Sequence, residues 1–181
     1  QYQKGEFKPL STEEAAEVIA EAKKFIPEYC RVMRINRDIP STVIHDGVMN
    51  TNLRQIAADK VKEKGIECKC IRCREPMGKK VDYNSVELKK IYYDSSCGKE
   101  VFISIEDVKN NILLGFCRLR KPFKPFRKEI TSKSAGIREL HIYGKSTPLG
   151  EEGLIQHKGY GKKLLEEAEK IAKEEFNCDK L

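Results

Sequence analysis

The chain has 181 residues, with 35 Lys and Arg against 28 Asp and Glu, a net charge of +7 and no tryptophan. At 39% hydrophobic and 35% charged residues it is too apolar for a disordered polymer and too polar for a membrane-embedded one. No apolar run approaches the roughly 18 residues a spanning helix needs. The opening Gln1-Tyr2-Gln3-Lys4 has neither Met nor a signal-peptide pattern, so the sequence reads as a piece of a longer chain.

In chain order, Ser11-Thr12-Glu13-Glu14 is a capping box, and Ala15, Val18, Ile19, Ala22 and Ile26 then recur at helical spacing until Pro27. Arg31–Arg37 alternates basic and apolar residues, which predicts a strand with an arginine face. Residues 50–64 predict a second amphipathic helix, stopped by Gly65. Beyond residue 85 the texture becomes β-rich. Val86–Tyr93, Glu100–Ile105 and Ile112–Leu119, separated by turn signals, predict an antiparallel meander. A basic linker with Pro122 and Pro125 leads to a further strand, Ile137–Tyr143, and a Gly/Pro-bearing loop then precedes a helix from Gly159 to Phe176. The expected organisation is residues 1–75 and residues 76–181, with no internal repeat.

Seven cysteines do not form an evenly spread disulfide framework: Cys68, Cys70 and Cys73 crowd together, while Cys30, Cys97, Cys117 and Cys178 are scattered. In a Lys-rich chain without a signal peptide, that pattern points to a metal site in a reducing compartment, the cytoplasm. Three thiolates at this spacing suit tetrahedral zinc with four cysteines, or with three and a histidine. Cys97 is the first choice for the fourth ligand, with His141 and Cys117 as alternatives. Lys69, Arg72 and Arg74 would offset the thiolate charge. A redox role for the Cys70–Cys73 pair lacks a thioredoxin-like βαβ context.

Gln156-His157-Lys158-Gly159-Tyr160-Gly161 directly precedes the last helix, whose Leu164, Leu165, Ala168, Ile171 and Ala172 share one face. Its glycines allow a diphosphate to approach the backbone closely. The unpaired amides of Gly159, Tyr160, Gly161 and Lys162, with the helix dipole, would hold the charge. The dinucleotide fingerprint is excluded, because the second strand–helix unit and its ribose-binding acid are missing.

Antiparallel strands followed by a strand, this turn and a helix resemble the GNAT superfamily of N-acetyltransferases. The resemblance implies that the Gln156–Lys162 turn binds the pyrophosphate of acetyl-CoA and that the pantetheine arm runs along Glu139, Leu140, His141 and Ile142. Four ordered motifs narrow it: RINRDIPS at Arg34–Ser41, CKCIRCRE at Cys68–Glu75, RELHIYG at Arg138–Gly144 and IQHKGYGKKLLEEAE at Ile155–Glu169. Together they resemble the family of Elongator catalytic subunits, tRNA wobble-uridine carboxymethylating acetyltransferases, of the archaeal or bacterial type.

That family joins a radical S-adenosylmethionine barrel to an acetyltransferase domain. The implied fold class is therefore α/β (α+β): residues 1–75 would be the C-terminal tail of the barrel, and residues 76–181 a GNAT-type domain truncated at its C-terminus. The iron–sulfur motif and the terminal tyrosine pair of the family are not in this sequence, so the chain alone would not complete the modification. The implied cofactors are acetyl-CoA and zinc, with a [4Fe–4S] cluster and S-adenosylmethionine in the full-length protein. The family account deprotonates or hydrolyses acetyl-CoA, and a radical on its acetyl carbon adds to uridine. The implied partners are tRNA, through its anticodon stem-loop, and the upstream radical domain; a homodimer is left open, and no membrane is expected.

Arg118, Arg120, Lys121, Lys124, Arg127, Lys128 and Lys133 stand against Glu129 alone in residues 112–135, interleaved with Phe123 and Phe126. Such a strip could follow an RNA backbone with an aromatic ring to stack on a base, or it could be a solvated linker. The resemblance favours tRNA, with Arg31, Arg34 and Arg37 as a second cationic face. Glu139 is a candidate catalytic carboxylate, whereas His45 and His157 are not read as general bases. Two other readings stay open: a protein lysine acetyltransferase with a zinc clip, and a non-catalytic tRNA-binding module.

Overall fold

Ser11 caps the first helix as its sequence predicts. Its hydroxyl accepts from the Glu14 amide at 3.1 Å, and the Glu14 carboxylate accepts from the Ser11 amide at 2.7 Å. In the computed structural model, which describes residues 1–35, 39–144 and 158–181, this helix, α1, runs Thr12–Ala22 and tightens into a 3₁₀ turn at Lys23–Phe25. A second helix, α2 (Leu53–Glu63), follows and closes at Gly65, whose φ of +62° takes the chain out of the helix. Ala15 and Ala16 of α1 pack on Leu53 and Ala57 of α2, with Ile19, Ile35, Val48 and Ile56 around them. These elements form the unit Gln1–Cys73; the second unit is Arg74–Leu181.

The strand expected at Arg31–Arg37 is absent among the described residues 31–35. Among the described residues no strand pairs with this segment. The Arg54 guanidinium instead takes the carbonyls of Val32 and Met33, at 3.2 and 2.8 Å. Alternation of basic and apolar residues marks a strand only where a partner edge is available. A single turn, α3 (Ile71–Arg74), follows the first two cysteines and carries the third.

The second unit is built on four strands, β1 (Val86–Asp94), β2 (Gly98–Asp107), β3 (Ile112–Pro122) and β4 (Gly136–Ile142). They pair antiparallel in the order β1-β2-β3-β4, the meander expected from the turn signals, with the additional strand joined to β3. Val101, Ile103 and Ile105 of β2 and Leu119 of β3 lie in one core with Leu164, Ala168 and Ile171. These last residues come from α4 (Tyr160–Lys170) and from the widened π-type segment Ile171–Glu175 that continues it. The alternate residues of β2, namely Glu100, Phe102, Ser104 and Glu106, are also buried, on the opposite pleat.

Gly115 marks the tightest approach in the sheet. A Cβ there would lie 2.5 Å from the Ile142 Cδ1 atom and 2.9 Å from the His141 carbonyl oxygen, so only glycine lets β3 and β4 close on each other at this point. After α4 the chain turns at Asn177, and Lys180 pairs in parallel with Ser134, beside the start of β4.

Candidate functional site

Two separate groups of side chains carry chemistry, one in each unit. In the first, the Sγ atoms of Cys68, Cys70 and Cys73 all lie within 4.8 Å of one another. Cys68 and Cys70 are buried, and Cys73 is the exposed member. The backbone binds them tightly: the Ile71 amide donates to the Cys30 carbonyl at 2.9 Å, and the Cys73 amide to the Cys70 carbonyl at 3.0 Å.

Sulfur-directed donors converge on Cys70. The thiols of Cys68 and Cys73 draw its ionisation well below the usual thiol range; burial opposes this, and the amides of Cys73 and Val32 add to it. Cys68 is pushed the other way by the same pairing with Cys70 and Cys73. The closeness of the three sulfurs, two of them buried, is what fits a metal ion. Tetrahedral thiolate coordination at about 2.3 Å requires sulfurs roughly 3.8 Å apart, so the group needs to contract by only about 1 Å at most.

Of Lys69, Arg72 and Arg74, the cations expected beside these thiolates, one is engaged elsewhere. Arg74 is turned to Glu106, 2.6 Å from its carboxylate, with both side chains buried. In its place Lys23, from the end of α1, sets its ammonium 3.5 Å from Cys73 Sγ and 3.9 Å from Cys68 Sγ. Nothing in the local sequence around the cysteines could have signalled a lysine 45 residues upstream.

Of the expected fourth ligands, Cys97 belongs to the second unit, exposed in the β1–β2 turn at φ +53°, and is not among the three gathered sulfurs. Cys117 is buried in the apolar core, where burial pushes its thiol up to about 11. His141 stacks edge-on against Tyr143, with ring centroids 4.4 Å apart.

In the second unit, α4 opens at Gly159, whose φ is +74° and which has no side chain to cap it. Among the described residues, the first turn, Tyr160, Gly161 and Lys162, has no side-chain cap from the N-cap position and holds no carboxylate. A Cβ on Gly161 would sit 3.8 Å from Ile142, so this turn lies against the end of β4, the outer strand of the sheet. Beside it the Lys158 ammonium rests 4.6 Å from the centre of the Tyr83 ring. Burial, with Tyr83 nearby, raises the Tyr160 phenol. Gln156 and His157 lie outside the described residues.

Along β4, Glu139 pairs with Arg118 at 3.0 Å, while Leu140 and His141 are exposed and Ile142 is partly buried against the core.

The basic strip separates into two populations by its partners within the fold. Arg118 lies over Phe102 and Phe116, 5.3 and 5.5 Å from their centres, and also donates to Tyr93 at 3.0 Å. Arg120 pairs with the buried Glu100 at 2.8 Å, and Arg138 joins the same carboxylate. Lys121 donates to the Phe176 carbonyl and lies over that ring. These cations neutralise and staple the sheet. Lys124, Arg127 and Lys128, by contrast, are exposed in the loop after β3, together with Phe123 and a fully exposed Phe126. In the first unit Arg31 and Arg34 are exposed, and Arg37 lies outside the described residues.

Known proteins place these features in context. Residues 1–63 match the family described as the radical SAM C-terminal domain. The tRNA uridine(34) acetyltransferase of Methanocaldococcus jannaschii is 49% identical over 99% of this chain and 35% of its own length. Elongator complex protein 3 of Saccharomyces cerevisiae is 40% identical over 98% of the chain and 33% of its own length. The solved structure of archaeal Methanocaldococcus infernus Elp3 with an N-terminal deletion superposes with a TM-score of 0.88 at 47% identity, covering 98% of this chain and 44% of that one. The chain spans about a third of the length of the curated relatives it matches. Over nearly its whole length the chain is thus similar to one part of the tRNA uridine(34) acetyltransferases and of Elongator complex protein 3.

Proposed function

We propose that this chain is the acetyl-CoA- and tRNA-handling part of an enzyme that modifies the wobble uridine of tRNA. One arrangement carries the reading: the uncapped start of α4, opened by Gly159, lies against the end of the outer strand β4. A diphosphate settles on the amides of Tyr160, Gly161 and Lys162, and an extended arm follows the edge of β4 along Glu139–Ile142. Acetyl-CoA supplies the two-carbon unit. The chain's own residues bind its phosphates, orient its arm and, at Tyr160, line the mouth of the site with a partly buried ring.

tRNA docks on the exposed loop cations Lys124, Arg127 and Lys128, with Phe123 and Phe126 available to stack on unpaired bases. The match of residues 1–63 to a radical SAM C-terminal domain supports a partner domain that uses S-adenosylmethionine and an iron–sulfur cluster. Cys68, Cys70 and Cys73 hold zinc, which fastens the segment after α2 and takes no part in the chemistry. A cytoplasmic location suits a tRNA substrate, and no helix among the described residues is long and apolar enough to cross a membrane.

The test is acetyl-CoA hydrolysis by the full-length protein, read as free CoA thiol, with and without tRNA. Stimulation by tRNA is expected. Acetylation of a protein lysine with no response to tRNA would replace this reading by a lysine acetyltransferase, and tRNA binding without hydrolysis would replace it by a non-catalytic module.

A further inference from the structure

Lys23 retains only 5% of its exposure, at the point where α1 tightens into its 3₁₀ turn. An ammonium taken out of water requires an opposite charge or acceptors around it. Among the described residues its partners are two sulfurs, Cys73 at 3.5 Å and Cys68 at 3.9 Å, and no carboxylate. Three thiolates around a divalent ion leave a net negative charge, which the positive charge of Lys23 offsets.

Resting on the reading of the cysteine group as a metal site, we infer that Lys23 is the counter-cation of that site, donating N–H···S hydrogen bonds to Cys68 and Cys73. Two consequences follow from the chemistry. A buried positive charge beside the thiolates favours their metal-bound form, so the ion is held more tightly. Hydrogen bonds to a metal-bound thiolate also withdraw electron density from sulfur, so the site resists alkylation and oxidation. Lys23 acts through the cysteines and is a positioning residue, not a ligand. Arg74, next to Cys73 in sequence, is paired with Glu106.

The test compares wild type, Lys23→Met and Lys23→Arg, each loaded with one equivalent of zinc. Zinc affinity is read by competition with a chromophoric chelator, and thiolate reactivity by the rate of iodoacetamide alkylation of the loaded protein. Lys23→Met should weaken zinc binding about 10- to 100-fold, the usual effect of losing a group that supports metal ligands, and should speed alkylation. Lys23→Arg should stay near wild type. Cobalt substitution gives a readout that a merely structural lysine would not move: the sulfur-to-cobalt charge-transfer bands should shift in Lys23→Met and not in Lys23→Arg. Lys23→Gln serves as a second neutral variant should Lys23→Met fail to fold, and should behave like it. Unchanged zinc affinity and alkylation in the neutral variants overturn the role of Lys23 while leaving the metal site standing. A wild-type chain that takes up no zinc overturns the metal reading and this inference with it.

Discussion

Replacing Arg74 by Met strands a carboxylate in the second unit. The Glu106 side chain is 3% exposed and that of Arg74 2%, with 2.6 Å between them; Ser104 donates to the same carboxylate at 2.7 Å, and Lys89 approaches to 3.3 Å. Removing one partner of a buried ion pair costs about 3–5 kcal/mol, because the other charge is left uncompensated. Lys89 and Ser104 remain, which places Arg74→Met at the lower end, about 3 kcal/mol, or roughly a 150-fold fall in the ratio of folded to unfolded chains. With a urea dependence of about 2 kcal/mol per molar, the midpoint should drop by about 1.5 M. The double variant Arg74→Met/Glu106→Leu removes both charges and should return to within about 1 kcal/mol of wild type. Urea titrations followed by far-ultraviolet circular dichroism give both numbers. A midpoint for Arg74→Met within about 0.3 M of wild type, or a double variant worse than the single, would refute the assignment of Arg74 to Glu106.

Gly115→Ala should destabilise the sheet by about 1–3 kcal/mol in thermal unfolding, since its Cβ would meet the His141 carbonyl at 2.9 Å; an unchanged melting temperature would contradict the close approach of β3 and β4. Acid should unfold the protein in a defined window. Burial of Asp107 opposes its ionisation, but hydrogen bonds from Ser85, Asn110 and the amides of Asp82 and Asn110 win and hold its carboxyl at about 2. Glu100 and Glu106 are also held low, against the cost of burial, by Tyr93 and Arg120 and by Arg74. Because the folded values lie below the unfolded ones, this stability is complete above about pH 5 and is lost as pH falls through the folded values. The melting temperature should be flat from pH 7 to 5 and fall below 4; constancy to pH 2.5 would contradict it. Neutralising Lys124, Arg127 and Lys128 together should weaken tRNA binding and reduce the slope of log affinity against log salt by about 2. The same change at Arg118 and Arg120 should instead lower stability.

Local chemistry made much of this fold legible. The Ser11 capping box, the β-rich runs and turn signals of β1 to β3 and the glycine turn before α4 each encode their structure within a few residues. What the sequence concealed depends on distant partners. Arg31–Arg37 carries a strand pattern, but a side chain from α2 takes its carbonyls. Arg118 and Lys124 look alike in a list of basic residues; one is spent on Glu139 and two phenylalanine rings, the other faces water. The three cysteines announce a metal site, whereas Lys23, which sits beside their sulfurs, is visible only once α1 has folded back onto them.

The account rests on a phosphate-bearing ligand at the start of α4, and a calorimetric titration of acetyl-CoA into the chain, beside Gly161→Glu, tests this most directly. Among the described residues a Cβ on Gly161 would meet only Ile142, at 3.8 Å, so the variant should fold, while its carboxylate opposes a diphosphate at the helix N-terminus. Saturable binding by wild type that disappears in Gly161→Glu is the predicted result. Equal binding by the two proteins, or none by wild type, would contradict it.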